Sequence, residues 1–378
     1  MLKKITIKNI SSIGECTIDF KKNKYAFLEE NVLEDCVNPV VLYGHNGSGK
    51  TSLFRAIKGL ILLLGYNVNA LSPFPVNQFE FNKAGAKSKE AGIGSISLCF
   101  ETLGHAYEYF LSTSRNNDIP LERLVCDASL LFEYQEGKLI YKGKPYPLGN
   151  NVSKLIPGLR VLAQREIDDE ILVSAYSFLS QFAFVDLPMQ NSQNGYIYSS
   201  TLGNLSTGEL LFSKSKEVKE ILRGYDDFPL YSIQKNEASP SALSSSPQYS
   251  LCFEGMEGES LPLSLMSEGM KNSSLMLSLL LSLKEGSCLF VDELDLALHP
   301  SAIRSFLDEV RKKKVQLLFS SHNTNALQTL RPDQVYFAKW EKGYSSCHRL
   351  SDIYPNIRQI NNIEKMYLGN VFEIGGKE

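Results

Sequence analysis

A chain of 378 residues with 43% hydrophobic and 10% aromatic content can bury one large or two ordinary cores. Its net charge of -3 and isoelectric point near 6.1 exclude a surface that coats nucleic acid throughout, leaving that role to a local basic patch. Seven scattered cysteines without a C-x-x-C pair, no uninterrupted apolar leader and no apolar run long enough for a bilayer predict a soluble cytoplasmic protein, with neither zinc site nor disulfide framework.

Ile5, Ile7 and Ile10, then Cys16, Ile18 and Phe20, alternate with polar residues around Gly14, predicting an opening antiparallel hairpin. Val40-Val41-Leu42-Tyr43 reads as a short buried strand. It runs into Gly44-His45-Asn46-Gly47-Ser48-Gly49-Lys50-Thr51-Ser52, which contains the pattern G-x-x-x-x-G-K-[ST]. Thr51 to Leu64 then sets Leu53, Ile57, Leu60, Ile61 and Leu64 on one helical face, and Gly65 stops the helix. Strand, glycine loop and helix N-terminus in that order form a phosphate-binding device: glycines let backbone amides approach the anion, and the helix dipole favours it. Lys50 is expected to reach the β and γ phosphates of a nucleotide, and Thr51 to ligate magnesium. The competing reading is a glycine-rich turn without ligand.

Leu71-Ser72-Pro73-Phe74-Pro75 is a proline-punctuated loop, and 93–101 with 105–112 reads as a strand pair around Leu103-Gly104. Further strand fragments are expected at Ser129 to Tyr134 and Leu139 to Tyr141. From Val152 to Leu222 the pattern turns helical. Asp168, Asp169 and Glu170 could ligate a metal, but a solvated helix face explains them, and Ser206-Thr207-Gly208 reads as a helix cap. The Ser/Pro-rich stretch from Ser239 to Pro247 is expected to be a mobile loop.

After a turn at Glu257-Gly258-Glu259, Ser267-Glu268-Gly269 opens a long apolar helix and places bare amides at its start, an arrangement suited to an anion. Ser287 to Val291 is a buried strand ending in Asp292-Glu293. After a phosphate loop, this acid pair suits phosphoryl transfer: the first carboxylate holds magnesium and the second polarises the attacking water. Leu294-Asp295-Leu296-Ala297-Leu298-His299-Pro300 leads to a helix over 301–314 that ends in Arg311-Lys312-Lys313-Lys314. Those cations compensate the helix dipole, the alternative being contacts to nucleic-acid phosphates. The next strand, Val315 to Ser320, ends in Ser321-His322-Asn323, where His322 could hydrogen-bond a γ phosphate.

The phosphate loop, Ser267-x-Gly269, Asp292-Glu293, Asp295 and His322 follow the order of the Walker A, signature, Walker B, D-loop and His-loop motifs of ABC-type ATPases. The opening hairpin resembles the SMC/RecF branch of these. Closer still, Asp292 to Pro300, Ser321-His322-Asn323-Thr324-Asn325, Leu330 to Phe337 and Tyr367-Leu368-Gly369 resemble the abortive-infection AAA ATPases of the AbiLi/RloA type. The likeness covers 1–64 and 260–370 and is loose between them. It implies an α/β ABC-type P-loop ATPase head with a mixed central sheet, an antiparallel β subdomain and a helical insertion, divided at 1–150, 151–250 and 251–378. It also implies ATP and magnesium as ligands and a head-to-head dimer in which Ser267 and Gly269 face the nucleotide held by the partner's phosphate loop. The expected role is a switch in prokaryotic anti-phage defence, controlling a separately encoded effector such as a TOPRIM-type nuclease. Glu268 stands where transporters carry the first signature glycine, and Gln78 is the candidate for the magnesium-facing Q-loop glutamine. A DNA-binding repair-type ATPase and a scaffold with structural nucleotide are the competing functions; an intrinsic nuclease is disfavoured because too little chain follows His322.

Overall fold

Alternation at the N-terminus produces its hairpin: β1 (Leu2–Ile10) and β2 (Ile13–Asp19) run antiparallel with Ile5 opposite Ile18 and Ile7 opposite Cys16. The computed structural model describes residues 1–65, 93–114, 118–148, 156–186, 196–199, 207–223, 231–236, 248–253, 260–298, 300–341, 343–358, 361–369 and 371–372. The expected loops at 71–75 and 239–247 and the turn at 257–259 lie outside these. A two-stranded ribbon, β3 (Val32–Leu33) with β4 (Cys36–Val37), precedes β5 (Val40–Tyr43) and α1 (Lys50–Gly65). An antiparallel meander follows as β6 (Ile93–Thr102), β7 (His105–Ser114), β8 (Leu121–Cys126), β9 (Ser129–Gln135), β10 (Lys138–Tyr141) and β11 (Lys144–Tyr146).

The middle of the chain supplies α2 (Gly158–Arg165), α3 (Glu170–Ser180), α4 (Thr207–Ser213) and α5 (Ser215–Leu222), but it is not all helix. Between α3 and α4 lie β12 (Ala183–Asp186) and β13 (Tyr196–Ser199). The helical reading misses β12 because three apolar residues, Ala183, Phe184 and Val185, buried on both faces carry no period that separates strand from helix. Next, β14 (Tyr231–Asn236), β15 (Gln248–Phe253) and β16 (Leu261–Pro262) make a separate small sheet. The chain then alternates: α6 (Glu268–Ser282), β17 (Cys288–Val291), α7 (Leu294–Ala297), α8 (Pro300–Lys313) and β18 (Gln316–Ser320). A final hairpin, β19 (Val335–Glu341) and β20 (Tyr344–Arg349), precedes the short α9 (Leu350–Ile353) and α10 (Ile363–Leu368).

Fifteen strands form one mixed sheet in the order β11-β10-β9-β8-β7-β6-β1-β2-β20-β19-β5-β18-β17-β12-β13. Its parallel centre, β19-β5-β18-β17-β12, is buried on both faces, as parallel sheets require. Val40 and Leu42 face a core shared with α1 and α3, whereas Val41 and Tyr43 face one shared with α6 and α8. Among the described residues, no helix is long and apolar enough to cross a membrane.

The expectation of no disulfide is overturned: Cys16 on β2 and Cys347 on β20 are joined, with Cα atoms 5.0 Å apart. The two cysteines are 331 residues apart in sequence, and only the parallel pairing of β2 with β20 brings them together. Asp169 proves to be the N-cap of α3, accepting from the Leu172 amide at 3.3 Å, and it pairs with Lys142. In the basic run, Arg311 pairs with Asp308, Lys312 with Glu309 and Lys314 with Glu285, in keeping with an ordinary charged helix end.

One buried carboxyl links the meander to the helical layer. Glu122 on β8 is fully buried, and it accepts from the Gly158 and Leu159 amides at the start of α2 and from the Tyr109 hydroxyl. Burial nevertheless pushes its carboxyl up to about 7 from 4.5. The folded state therefore holds this proton more tightly than the unfolded chain, so the group's contribution to stability is full below 4.5 and is lost as pH rises through about 7. Urea midpoints of parent and Glu122→Gln, measured from pH 4 to 8, should show this decline of about 3 kcal/mol in the parent alone. Parallel curves would remove Glu122 as its source.

Candidate active site

β5 ends at Tyr43, and the chain turns through Gly44 to Gly49 into α1, whose first residue is Lys50. Gly49 has φ +98°, and a Cβ there would come within 2.5 Å of the Ser345 Cβ, so only glycine lets β20 pass this closely. At Gly47, φ +79°, nothing lies within 4 Å of the Cβ position, and the loop is open on that side. Among the described residues, Ser48 Oγ is buried without a hydrogen-bond partner. The Lys50 ammonium, also buried, folds back to donate to the carbonyls of Gly44 at 2.7 Å and His45 at 3.1 Å. An orphaned hydroxyl and the bare amides of a helix start are unspent donors, the Lys50 ammonium has a third hydrogen beyond those given to its own loop, and a polyphosphate fits them. His45, Asn46 and Thr51 are exposed around this cradle. Ser52 behaves differently: its hydroxyl is hydrogen-bonded with Ser11 at 3.1 Å and Ser12 at 2.8 Å, anchoring the β1–β2 turn to α1.

The acids arrive from the other side of the sheet centre. Asp292, next after β17, is 7% exposed and accepts from Ser320 Oγ at 2.6 Å; the same oxygen accepts from the Glu293 amide at 2.8 Å. Glu293 sits in the left-handed region, φ +56° and ψ +58°, which costs an L-residue about 1 kcal/mol or more. The hydrogen bond from its amide to Ser320 holds it there. Asp295 in α7 accepts from the His322 amide at 3.1 Å, and the Tyr43 hydroxyl donates to the Asn323 carbonyl at 2.7 Å, tying the loop after β18 to both neighbours.

Electrostatics binds the halves together. Burial holds the Lys50 ammonium below its usual value, while the charges of Asp292, Glu293 and Asp295 oppose that shift. Burial and the Asp292 charge push the Glu293 carboxyl up, with His322 and Lys50 pulling it down. Lysine, acid pair and histidine thus share one field, in which the Glu293 carboxyl holds a proton more tightly than a free one. The chain has the P-loop head fold of SMC proteins, and AAA-domain models match it in two parts. Residues 147–328 match the family described as "AAA domain, putative AbiEii toxin, Type IV TA system", and residues 4–141 match a second described as "AAA domain". The solved SMC head bound to the C-winged helix domain of ScpA is 13% identical, with 92% of this chain and 96% of that one covered at a TM-score of 0.53. The SMC heads of Thermotoga maritima (16% identity, 92% and 98% covered, TM-score 0.45) and Pyrococcus furiosus (12%, 99% and 99%, 0.49) are also similar. No curated protein matches the sequence significantly.

The structure brings Lys50, Asp292, Glu293, Asp295 and His322 within electrostatic reach of one another. Ser267 and Gly269 stand apart at the exposed start of α6, where the Ser267 hydroxyl accepts from the Met270 amide at 3.4 Å as an N-cap. Gln78 lies outside the described residues. Sequence reading passes over two serines that organise the site, Ser320 and Ser345; the only signal for Ser320 is a small polar residue at the end of an otherwise apolar strand. Ser320→Ala should cost about 1 to 2 kcal/mol of stability and weaken magnesium-dependent nucleotide binding about tenfold. Calorimetry with and without magnesium checks this, and unchanged binding would confine Ser320 to a folding role.

Proposed function

We propose that this chain binds ATP with magnesium and hydrolyses it slowly, as a dimeric switch in prokaryotic anti-phage defence that controls a separately encoded effector. The observation carrying the reading is the field shared by Lys50 with Asp292, Glu293 and Asp295, segments that meet only in the fold. Lys50 and the amides of 44–51 hold the phosphates. Thr51 and Asp292 would hold magnesium, which supplies charge stabilisation at the transferring phosphoryl group. Glu293, raised in proton affinity and fixed by Ser320, accepts a proton from the attacking water, and His322 orients the terminal phosphate.

The start of α6 supports the dimer: Ser267 and Gly269 are exposed there, and Leu265 and Leu296 stand out at 66% and 53% exposure. A second head closing on this surface would bring Ser267 and Gly269 to the opposite nucleotide. The defence assignment draws on the AbiEii-type description matched over 147–328 and on the AbiLi/RloA-like motifs. The ScpA-bound SMC head supports the idea that a head of this fold docks a separately encoded protein; here a TOPRIM-type nuclease is the proposed effector.

Glu293→Gln should lower ATP turnover at least about a hundredfold while retaining ATP, and light scattering should show more dimer with ATP than in the parent. Turnover equal to the parent's would remove Glu293 from its role. Effector capture that is the same with ATP, ADP and no nucleotide would replace the switch with a scaffold.

A further inference from the structure

Trp340 is the only tryptophan in the chain, and it stands 52% exposed on β19. Among the described residues, no aromatic ring stacks on it, no cation lies over it and its indole makes no hydrogen bond. Its neighbours Lys339 and Glu341 pair with each other. The aromatic residue across the hairpin tip is already engaged, because Gly14 leaves room for the Tyr344 ring against the β1–β2 hairpin.

The strand register fixes where Trp340 points. In the β19–β20 pair it lies directly opposite Ser345, so both side chains leave the same face of the hairpin. Ser345 is the residue whose Cβ lies against Gly49, and its hydroxyl donates to Ser12 at 3.1 Å. Two residues earlier on β19, the Ala338 carbonyl lies against Gly44. Trp340 therefore rises from the glycine loop's own face, just past the loop's edge.

Sheet order sets the direction of the bound nucleotide. The loop follows β5; Asp292 and Glu293 follow β17, beyond β18 on one side, while β19 and β20 lie on the other. The phosphate under attack must lie toward the acids, so the nucleoside end is driven the opposite way, toward β19 and β20. From β17 to β19 is three strand spacings, about 14 Å, matching the reach of an extended nucleoside triphosphate.

We propose that Trp340 is the nucleobase platform of this site, stacking its indole on the purine of the nucleotide whose phosphates the glycine loop holds; this rests on the ATP reading above. A π-face reads ring area and no hydrogen-bond pattern, so ATP and GTP should bind alike and pyrimidine nucleotides more weakly.

The single tryptophan is its own reporter. In the full-length protein, ATP should quench Trp340 emission, whereas inorganic tripolyphosphate should bind without quenching. Trp340→Ala should weaken ATP about five- to fiftyfold in calorimetry and leave tripolyphosphate unchanged, with Trp340→Phe recovering most of the loss. Unchanged ATP affinity in Trp340→Ala, or equal losses for both ligands, would overturn the proposal. Failure of the ATP reading looks different: neither ligand would bind the parent, or Lys50→Ala would bind both as the parent does.

Discussion

β18 is hydrogen-bonded to β5 on one edge and to β17 on the other, with Phe319 opposite both Val41 and Val291. This shared pairing is the constraint on which the site depends. Parallel strands point their carboxyl ends the same way, so three segments from different parts of the chain deliver the glycine loop, the acid pair and His322 to one edge. Slipping any of the three by one residue would exchange its two buried faces and separate Lys50 from the acids.

Buried polar groups hold that register. Asn38, just before β5, donates to the Val315 carbonyl and accepts from the Leu317 amide, both at 2.8 Å. Gln316 accepts from the Leu2 amide at 2.6 Å and donates to the Leu2 carbonyl at 2.9 Å, clamping β18 to the first strand of the chain. Arg331 is fully buried against Asp333 and donates to the carbonyls of Asn23 and Phe27, fixing the segment that leads to β5. An unpaired member of such a network would cost several kcal/mol, so the arrangement specifies one alignment and disfavours its neighbours.

Around this frame the two flanks of β5 divide the work. Toward β17, burial and clustered carboxylates gather negative charge beside Lys50, and the left-handed Glu293 stores strain that Ser320 sustains. Toward β20, serines 11, 12, 52 and 345 link the first hairpin to the last beside Gly49. The meander from β6 to β11 extends the sheet on that flank, and Glu122 joins it to α2, so the two flanks of the glycine loop are built from different parts of the chain.

The sequence by itself determined the local devices: the glycine loop between strand and helix, the acids after β17, the histidine after β18 and the hairpin at the start. Each is written in contiguous residues whose spacing has a direct physical meaning. Only the tertiary structure decided what depends on contacts between distant segments. It placed β12 in the sheet, because an apolar run buried on both faces has no readable period. It joined Cys16 to Cys347 and set Trp340 opposite Ser345, because strand pairing across hundreds of residues leaves no trace in local pattern. Ser320 belongs to the same class, since a serine can orient a carboxylate only when another strand brings one within reach of its hydroxyl.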